Sequence, residues 1–305
     1  MTVQRDISTG AWLGLALLAL IWGASFLSIR IALDEVTVLW SVAWRVTLGV
    51  ATLGSYLAIR RIPLPTDPRI WGAFLVMGLL NNVIPFTLMA WGQLHIESGL
   101  TAIFNAATAI FGVIVAALVF ADERLTSRRA LGVALGFVGV VTAIGWEALT
   151  TLDLRSLAQI AVVVGTLSYA FAGAFGRIAL SKLRPEVAAF GMLLGSTSLM
   201  VPFAFVIEGP PTLILRPETY AAIGYYGVVA TAGAYLLYYW VLARAGSGNL
   251  LLVTLMVAPI AIVLGAVVLN EELASRSYGG FALLALGLAV IDGRILRLFR
   301  KPSPG

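Results

Sequence analysis

The sequence predicts an all-α membrane protein: ten transmembrane helices in two inverted five-helix repeats. Three observations predict it. Of 305 residues, 60% are hydrophobic and only 11% charged, with a mean hydropathy of +0.97. The apolar residues fall in runs long enough to cross a bilayer, and the second half of the chain repeats the first. A soluble domain of this length needs a charged shell around its core, and that shell is missing here.

A helix takes about 20 residues to cross a hydrocarbon core roughly 30 Å thick, and helices are required because unpaired backbone groups are too costly in lipid. Suitable runs lie at 11–31, 38–59, 70–92, 98–121, 129–147, 157–178, 187–208, 219–241, 249–270 and 278–296. The first resembles the start of a signal peptide but continues without a convincing small-residue cleavage site, so it is read as a retained span. Between the runs lie short connections rich in Pro and charge, such as RRIPLPTDPR (60–69), SKLRPE (181–186) and EGPPTLILRPE (208–218).

Charge sets the orientation. With the N-terminus inside, Arg5, Arg60, Arg61, Arg69, Arg124, Arg128, Arg129, Arg177, Lys182, Arg184, Arg244, Arg294, Arg297, Arg300 and Lys301 face the cytoplasm. Arg30, Arg155, Arg216 and Arg276 face outward, and Arg45 stands alone within a span. This bias predicts a multi-pass protein of a bacterial-type inner membrane with both termini cytoplasmic. The net charge of +5 comes from short basic clusters between apolar runs. That pattern fits an anionic lipid leaflet and not a nucleic acid.

The repeat is clearest at an offset of 148, where FADERLTSRRALG (120–132) aligns with VLNEELASRSYGG (268–280). Glu123 pairs with Glu271, Arg128 with Arg276, Gly132 with Gly280 and, further on, Gly139 with Gly287. An offset of 147 pairs Trp22 with Tyr169 and Arg30 with Arg177. Residues 1–148 and 149–305 each hold five spans. An odd number sends the second copy into the membrane from the opposite face, the geometry that alternating access requires.

LALIWGASFLSIRIAL (18–33), with Trp22, Gly23, Ser25 and Phe26, resembles the opening helix of the EamA family of the drug/metabolite transporter superfamily. WSVAWRVTLG (40–49), with Arg45, is similar to that family's arginine-bearing second span. DERLT (122–126) and EELAS (271–275) resemble its repeated glutamate turn. One departure is that the second copy has Pro259 where the first has Phe111, so the two halves are expected to bend differently. The resemblance implies export of amino acids, aromatic ones included. It extends to toxic organic cations such as methyl viologen as the alternative, with no cofactor.

Candidate contacts for such a solute are the polar and aromatic residues inside spans. Arg45 lies about 10 Å from the outer boundary, either as a contact for a substrate carboxylate or as a structural hydrogen-bonding hub. Asn81 and Asn82 lie mid-span before Pro85, and adjacent residues on one α-helix point apart, so one is expected in the cavity and one between helices. Asn105 and Thr108 fall one turn apart. Thr101 and Asn249, at matching places in the repeats, read as helix-end groups. Tyr235, Tyr238 and Tyr239 share a stripe by spacing; with Trp22, Trp44, Trp91, Tyr169 and Trp240 they offer rings suited to aromatic or cationic solutes. Trp12, Trp40, Trp71, Trp146 and Tyr220 lie near span ends as interface anchors. Gly132, Gly136, Gly139, Gly280 and Gly287 predict close helix contact.

Absences exclude other classes. There is no Cys and one His, His95, so thiolate chemistry and a His-rich metal site are excluded. No HExxH, GxSxG or P-loop is present, and His95 and Glu97 point apart on a helix, so an enzyme is not expected. No acid lies mid-span, which predicts facilitated exit or coupling through a peripheral group such as His95 or Glu97. A channel is the remaining transport reading; the sequence leaves the oligomeric state open.

Overall fold

In a computed structural model of the protein, residues 9–121, 126–145, 153–245 and 252–292 are described. Arg5, Glu123, Arg124, Trp146, Asn249, Arg294, Arg297, Arg300 and Lys301 fall outside them. Among the described residues there is no strand. Eight helices are long and apolar enough to cross a membrane: α1 (Thr9–Ala32), α2 (Val38–Ile59), α3 (Pro68–Gly92), α4 (Ser98–Val119), α5 (Ser127–Ile144), α6 (Leu154–Ala179), α7 (Pro185–Glu208) and α8 (Pro217–Val241). Two further apolar helices, α9 (Leu252–Leu269) and α10 (Ser275–Asp292), carry shorter qualifying stretches.

The helix ends follow local chemistry. Asp67, Thr126 and Asp153 accept from the amides of Arg69, Arg129 and Ser156 and so start α3, α5 and α6. Pro68, Pro185 and Pro217 occupy first-turn positions, where the missing N–H costs nothing. Gly145 and Gly209 end α5 and α7 at φ +82° and +75°, a conformation that other residues adopt only under strain.

Three helices depart from α geometry. Helix α3 widens to a π-helix over Leu79–Val83, just before Pro85, whose ring nitrogen cannot bond back to the Asn81 carbonyl. Helix α8 does the same over Tyr225–Gly233. Helix α4 breaks between Ser98–Asn105 and Thr108–Val119, so Asn105 and Thr108 do not form one helical face as the spacing predicted. The two copies do differ, but the break lies in the copy without proline; α9 is continuous through Pro259.

Helix α1 packs on α9 as α6 packs on α4; α8 packs on α1 and α2 as α3 packs on α6 and α7. Helices α2 with α7, α4 with α9 and α5 with α10 form the remaining main pairs. The α5–α10 contact is antiparallel and close. A Cβ on Gly132 would lie 2.6 Å from the Gly287 carbonyl oxygen, and one on Gly139 would lie 2.7 Å from that of Gly280, so only glycine permits this approach.

Acidic side chains serve helix starts at the face predicted to be outward. Glu208 accepts from the amides of Leu39 and Trp40 and from the Thr37 hydroxyl at the start of α2. Glu271 accepts from the amides of Ser98 and Gly99 at the start of α4. Glu35 accepts from the Arg216 amide and the Thr219 hydroxyl at the start of α8. Glu97 pairs with Arg155 at 2.8 Å near the start of α6. Each carboxylate meets orphan N–H groups or the positive end of a helix. The Thr219 hydroxyl, the Arg216 amide and the Arg216 charge hold the Glu35 carboxyl below its ordinary value; the Ser156 amide and hydroxyl do the same for Asp153. Trp40, predicted as an interface anchor, is instead 6% exposed and donates its indole N–H to the Gly209 carbonyl at 2.9 Å.

Candidate solute site

Arg45 projects from α2 into the interior, where its guanidinium lies over the Phe86 ring of α3, 3.9 Å from the centroid. Its Nε donates to the Thr231 hydroxyl of α8 at 3.0 Å. Thr231 in turn donates to the Tyr226 carbonyl at 2.7 Å, a bond within the π-helical turn. Beyond that Nε bond, Arg45 has no hydrogen bond and no acidic partner among the described residues. Its electrostatic neighbours are the phenols of Tyr169, Tyr235 and Tyr226. The side chain is half-buried, so its two terminal amino groups keep donors for an incoming group.

Next to it, α3 contributes both asparagines. The Asn81 amide donates to the Tyr235 hydroxyl at 3.2 Å, and that hydroxyl donates to the Asn82 carbonyl oxygen at 3.3 Å. Both side chains reach one phenol, although adjacent residues on a regular α-helix point apart. The physical reason is the π-helical turn, which shifts the angular step between successive residues. Asn82 is fully buried and donates to the Ser196 hydroxyl of α7 at 2.7 Å, while Asn81 is half-buried and also touches the Met192 sulfur at 3.2 Å.

The carbonyl groups of the two π-helical turns receive side-chain donors from neighbouring helices. Trp22 donates its indole N–H to the Ala230 carbonyl at 3.2 Å. Ser168, beside Tyr169, donates to the Leu80 carbonyl at 2.6 Å. Tyr169 also meets Phe86 edge to face, with centroids 6.5 Å apart. The structure thus brings together Arg45, Asn81, Asn82, Tyr169 and Tyr235, with Trp22 bonded to the same turn of α8.

Other candidates lie elsewhere. Tyr238 meets Trp22 with centroids 6.0 Å apart and Tyr239 edge to face at 5.2 Å; it packs in one apolar cluster, Tyr235 and Tyr239 in another. Trp44 packs against Trp40, and its buried indole N–H has no acceptor. Trp91 lies against His95, and Asn105 ends the first segment of α4. Trp240 is 39% exposed and stacks under Arg244 beside Gly10 and Gly14 of α1. Thr101 donates to the Glu97 carbonyl as a helix-end group.

Phe86, Met192 and Thr231 were not among the sequence candidates. Thr231 carries a recoverable signal, because it lies 149 residues after Asn82, as Pro217 lies 149 after Pro68.

Residues 9–145 and 156–292 each match the model of the EamA-like transporter family. A Streptantibioticus cattleyicolor protein named "probable terminal-alkyne amino-acid exporter" is 26% identical, covering 98% of this chain and 99% of its own. An Escherichia coli "probable amino-acid metabolite efflux pump" is 24% identical over 90% of this chain and 92% of its own. The Bacillus subtilis "uncharacterized transporter YoaV" is 21% identical over 90% and 94%. A solved crystal structure shares the fold at a TM-score of 0.68, with 17% identity over 97% of this chain and 99% of that one. The family and these names indicate a multi-pass membrane transporter, not an enzyme.

Proposed function

Because the chain belongs to the EamA-like transporter family, we propose that it is a secondary transporter exporting small metabolites, amino acids with aromatic side chains among them, across a bacterial inner membrane by alternating access. The observation that carries this reading is Arg45. It is an interior cation with one hydroxyl acceptor, no acidic partner among the described residues and rings around it. A guanidinium inside a membrane-spanning bundle without a counter-ion is costly unless a ligand supplies one. A carboxylate matches its planar donor geometry, and Tyr169 and Tyr235 offer apolar faces to a side chain. The names of the amino-acid exporters among its relatives support the same solute class.

The arrangement of the two halves as inverted repeats, residues 1–148 and 149–305, is part of this proposal. It is supported by the reciprocal contacts of Gly132 with Gly287 and Gly139 with Gly280, the form that a two-fold relation between copies gives. Both termini are placed in the cytoplasm on the charge bias. The methyl viologen alternative is disfavoured by Arg45, whose charge repels an organic cation.

Counterflow of labelled L-phenylalanine in proteoliposomes tests the proposal. Saturable exchange, accelerated by unlabelled amino acid on the far side, is expected. Unsaturable flux is the signature of a channel, and no exchange of any amino acid or organic cation in a broad panel removes the transport reading.

A further inference from the structure

The charges around Arg45 narrow the solute class further, and this step rests on the transport reading above. We propose that the site recognises an aromatic carboxylate as such, so that the α-amino group of an amino acid is dispensable for binding.

Arg45 supplies one positive charge, oriented by the Thr231 hydroxyl and the face of Phe86. A solute carboxylate neutralises it through the two free amino groups. An α-ammonium needs a matching anion or several strong acceptors, and among the described residues no carboxylate neighbours Arg45. The ionisable groups that face Arg45 are Tyr169, Tyr226 and Tyr235, phenols that carry no charge near neutral pH. The described acids lie in loops or near helix ends. Five of them, Glu35, Glu97, Glu186, Glu208 and Glu271, are engaged there with Arg side chains or helix starts.

The neutral acceptors are few: the Asn81 carbonyl oxygen takes no bond among the described residues, but one neutral oxygen does not balance an ammonium. The Asn82 carbonyl oxygen takes the Tyr235 hydroxyl, and the Ser196 hydroxyl lies against the Met192 and Gly78 carbonyls. A monocarboxylate therefore leaves the surroundings of Arg45 electrically balanced. A zwitterion leaves its ammonium beside a guanidinium with only weak acceptors, and an amine or a viologen adds positive charge to positive charge.

The test is equilibrium binding to the purified full-length protein at pH 7, by titration calorimetry in detergent, with four probes: 3-phenylpropanoate, L-phenylalanine, 2-phenylethylamine and methyl viologen. The expected result is that 3-phenylpropanoate binds at least as tightly as L-phenylalanine, and that both cations bind at least about tenfold more weakly. Arg45→Gln should weaken 3-phenylpropanoate about tenfold or more, and Arg45→Lys should weaken it less. The ranking in the parent protein stands whether or not either variant folds.

L-phenylalanine binding about tenfold tighter than 3-phenylpropanoate overturns the inference, because an amino-group contact then exists; the transport reading survives. Equal binding of the cations overturns it as well. Failure of all four probes to bind overturns the inference, and the counterflow panel then decides separately whether the chain is a transporter.

Discussion

Arg45 is the residue on which the site turns, and its environment separates recognition from scaffolding. The bond to the Thr231 hydroxyl is a single contact from a charged donor, about 1.5–3 kcal/mol. A carboxylate adds opposite charge and room for two parallel bonds to the terminal amino groups, which makes that contact the larger one. Arg45→Ala is therefore expected to lower saturable exchange about tenfold or more while membrane abundance falls much less; equal loss of both would make Arg45 a structural hub. Tyr235→Phe should change the substrate profile, because it removes the hydroxyl shared by Asn81 and Asn82. Trp240→Ala should leave that profile unchanged, since Trp240 stacks on Arg244 away from the cluster. Sequence alone made Arg45, Asn81 and Asn82 legible because a polar group inside an apolar run is expensive and therefore conspicuous. Phe86 and Met192 were invisible for the converse reason, being ordinary apolar residues in a span. Trp91 and Trp240 share a residue type with Trp22, and type does not reveal which way a ring faces.

At the scale of the helix, local departures from ideal geometry decide what the spacing rules miss. A 3.6-residue period separates Asn81 from Asn82. The π-helical turns at Leu79–Val83 and Tyr225–Gly233 alter the step between residues, and the asparagines converge. Pro85, just after the first of these turns, was a readable warning for it; no proline follows the second within α8. Helix starts were more legible, since Pro and Asp mark them, but their long-range partners were not. Glu35 lies between the first two apolar runs and Glu208 at the end of the seventh, which says nothing of a partner; the structure makes them caps of α8 and α2. Glu35 titrates below its ordinary value in the folded protein. Its stabilising contribution is thus complete above the unfolded glutamate range and is lost as pH falls through the lowered folded value. Thermal unfolding in detergent should fall along this acid limb, and Glu35→Gln should flatten part of it. An identical pH profile in parent and variant would show that the cap contributes nothing measurable.

For the molecule as a whole, the question is whether its halves face opposite ways. The sequence repeat carries only the likeness of the copies and an odd count of spans; the sense of insertion rests on where Lys and Arg fall. Packing adds a geometric constraint, because α5 and α10 run antiparallel with glycines in reciprocal register. Two parallel copies would bring equivalent helices through the membrane in the same direction. A direct test uses two loops in equivalent places, the one between α2 and α3 with Leu64 and the one between α7 and α8 with Leu213. These residues lie 149 apart in sequence and are 41% and 63% exposed, so cysteines there should react readily. Labelling is clean because the chain has no cysteine of its own. In intact cells, a membrane-impermeant maleimide should modify Leu213→Cys and spare Leu64→Cys until the membrane is permeabilised. The opposite assignment would invert the orientation but keep the two-fold relation. Reaction of both from one side would make the repeats parallel, and the pair of mirror-related states that alternating access draws on would then be unavailable to this fold.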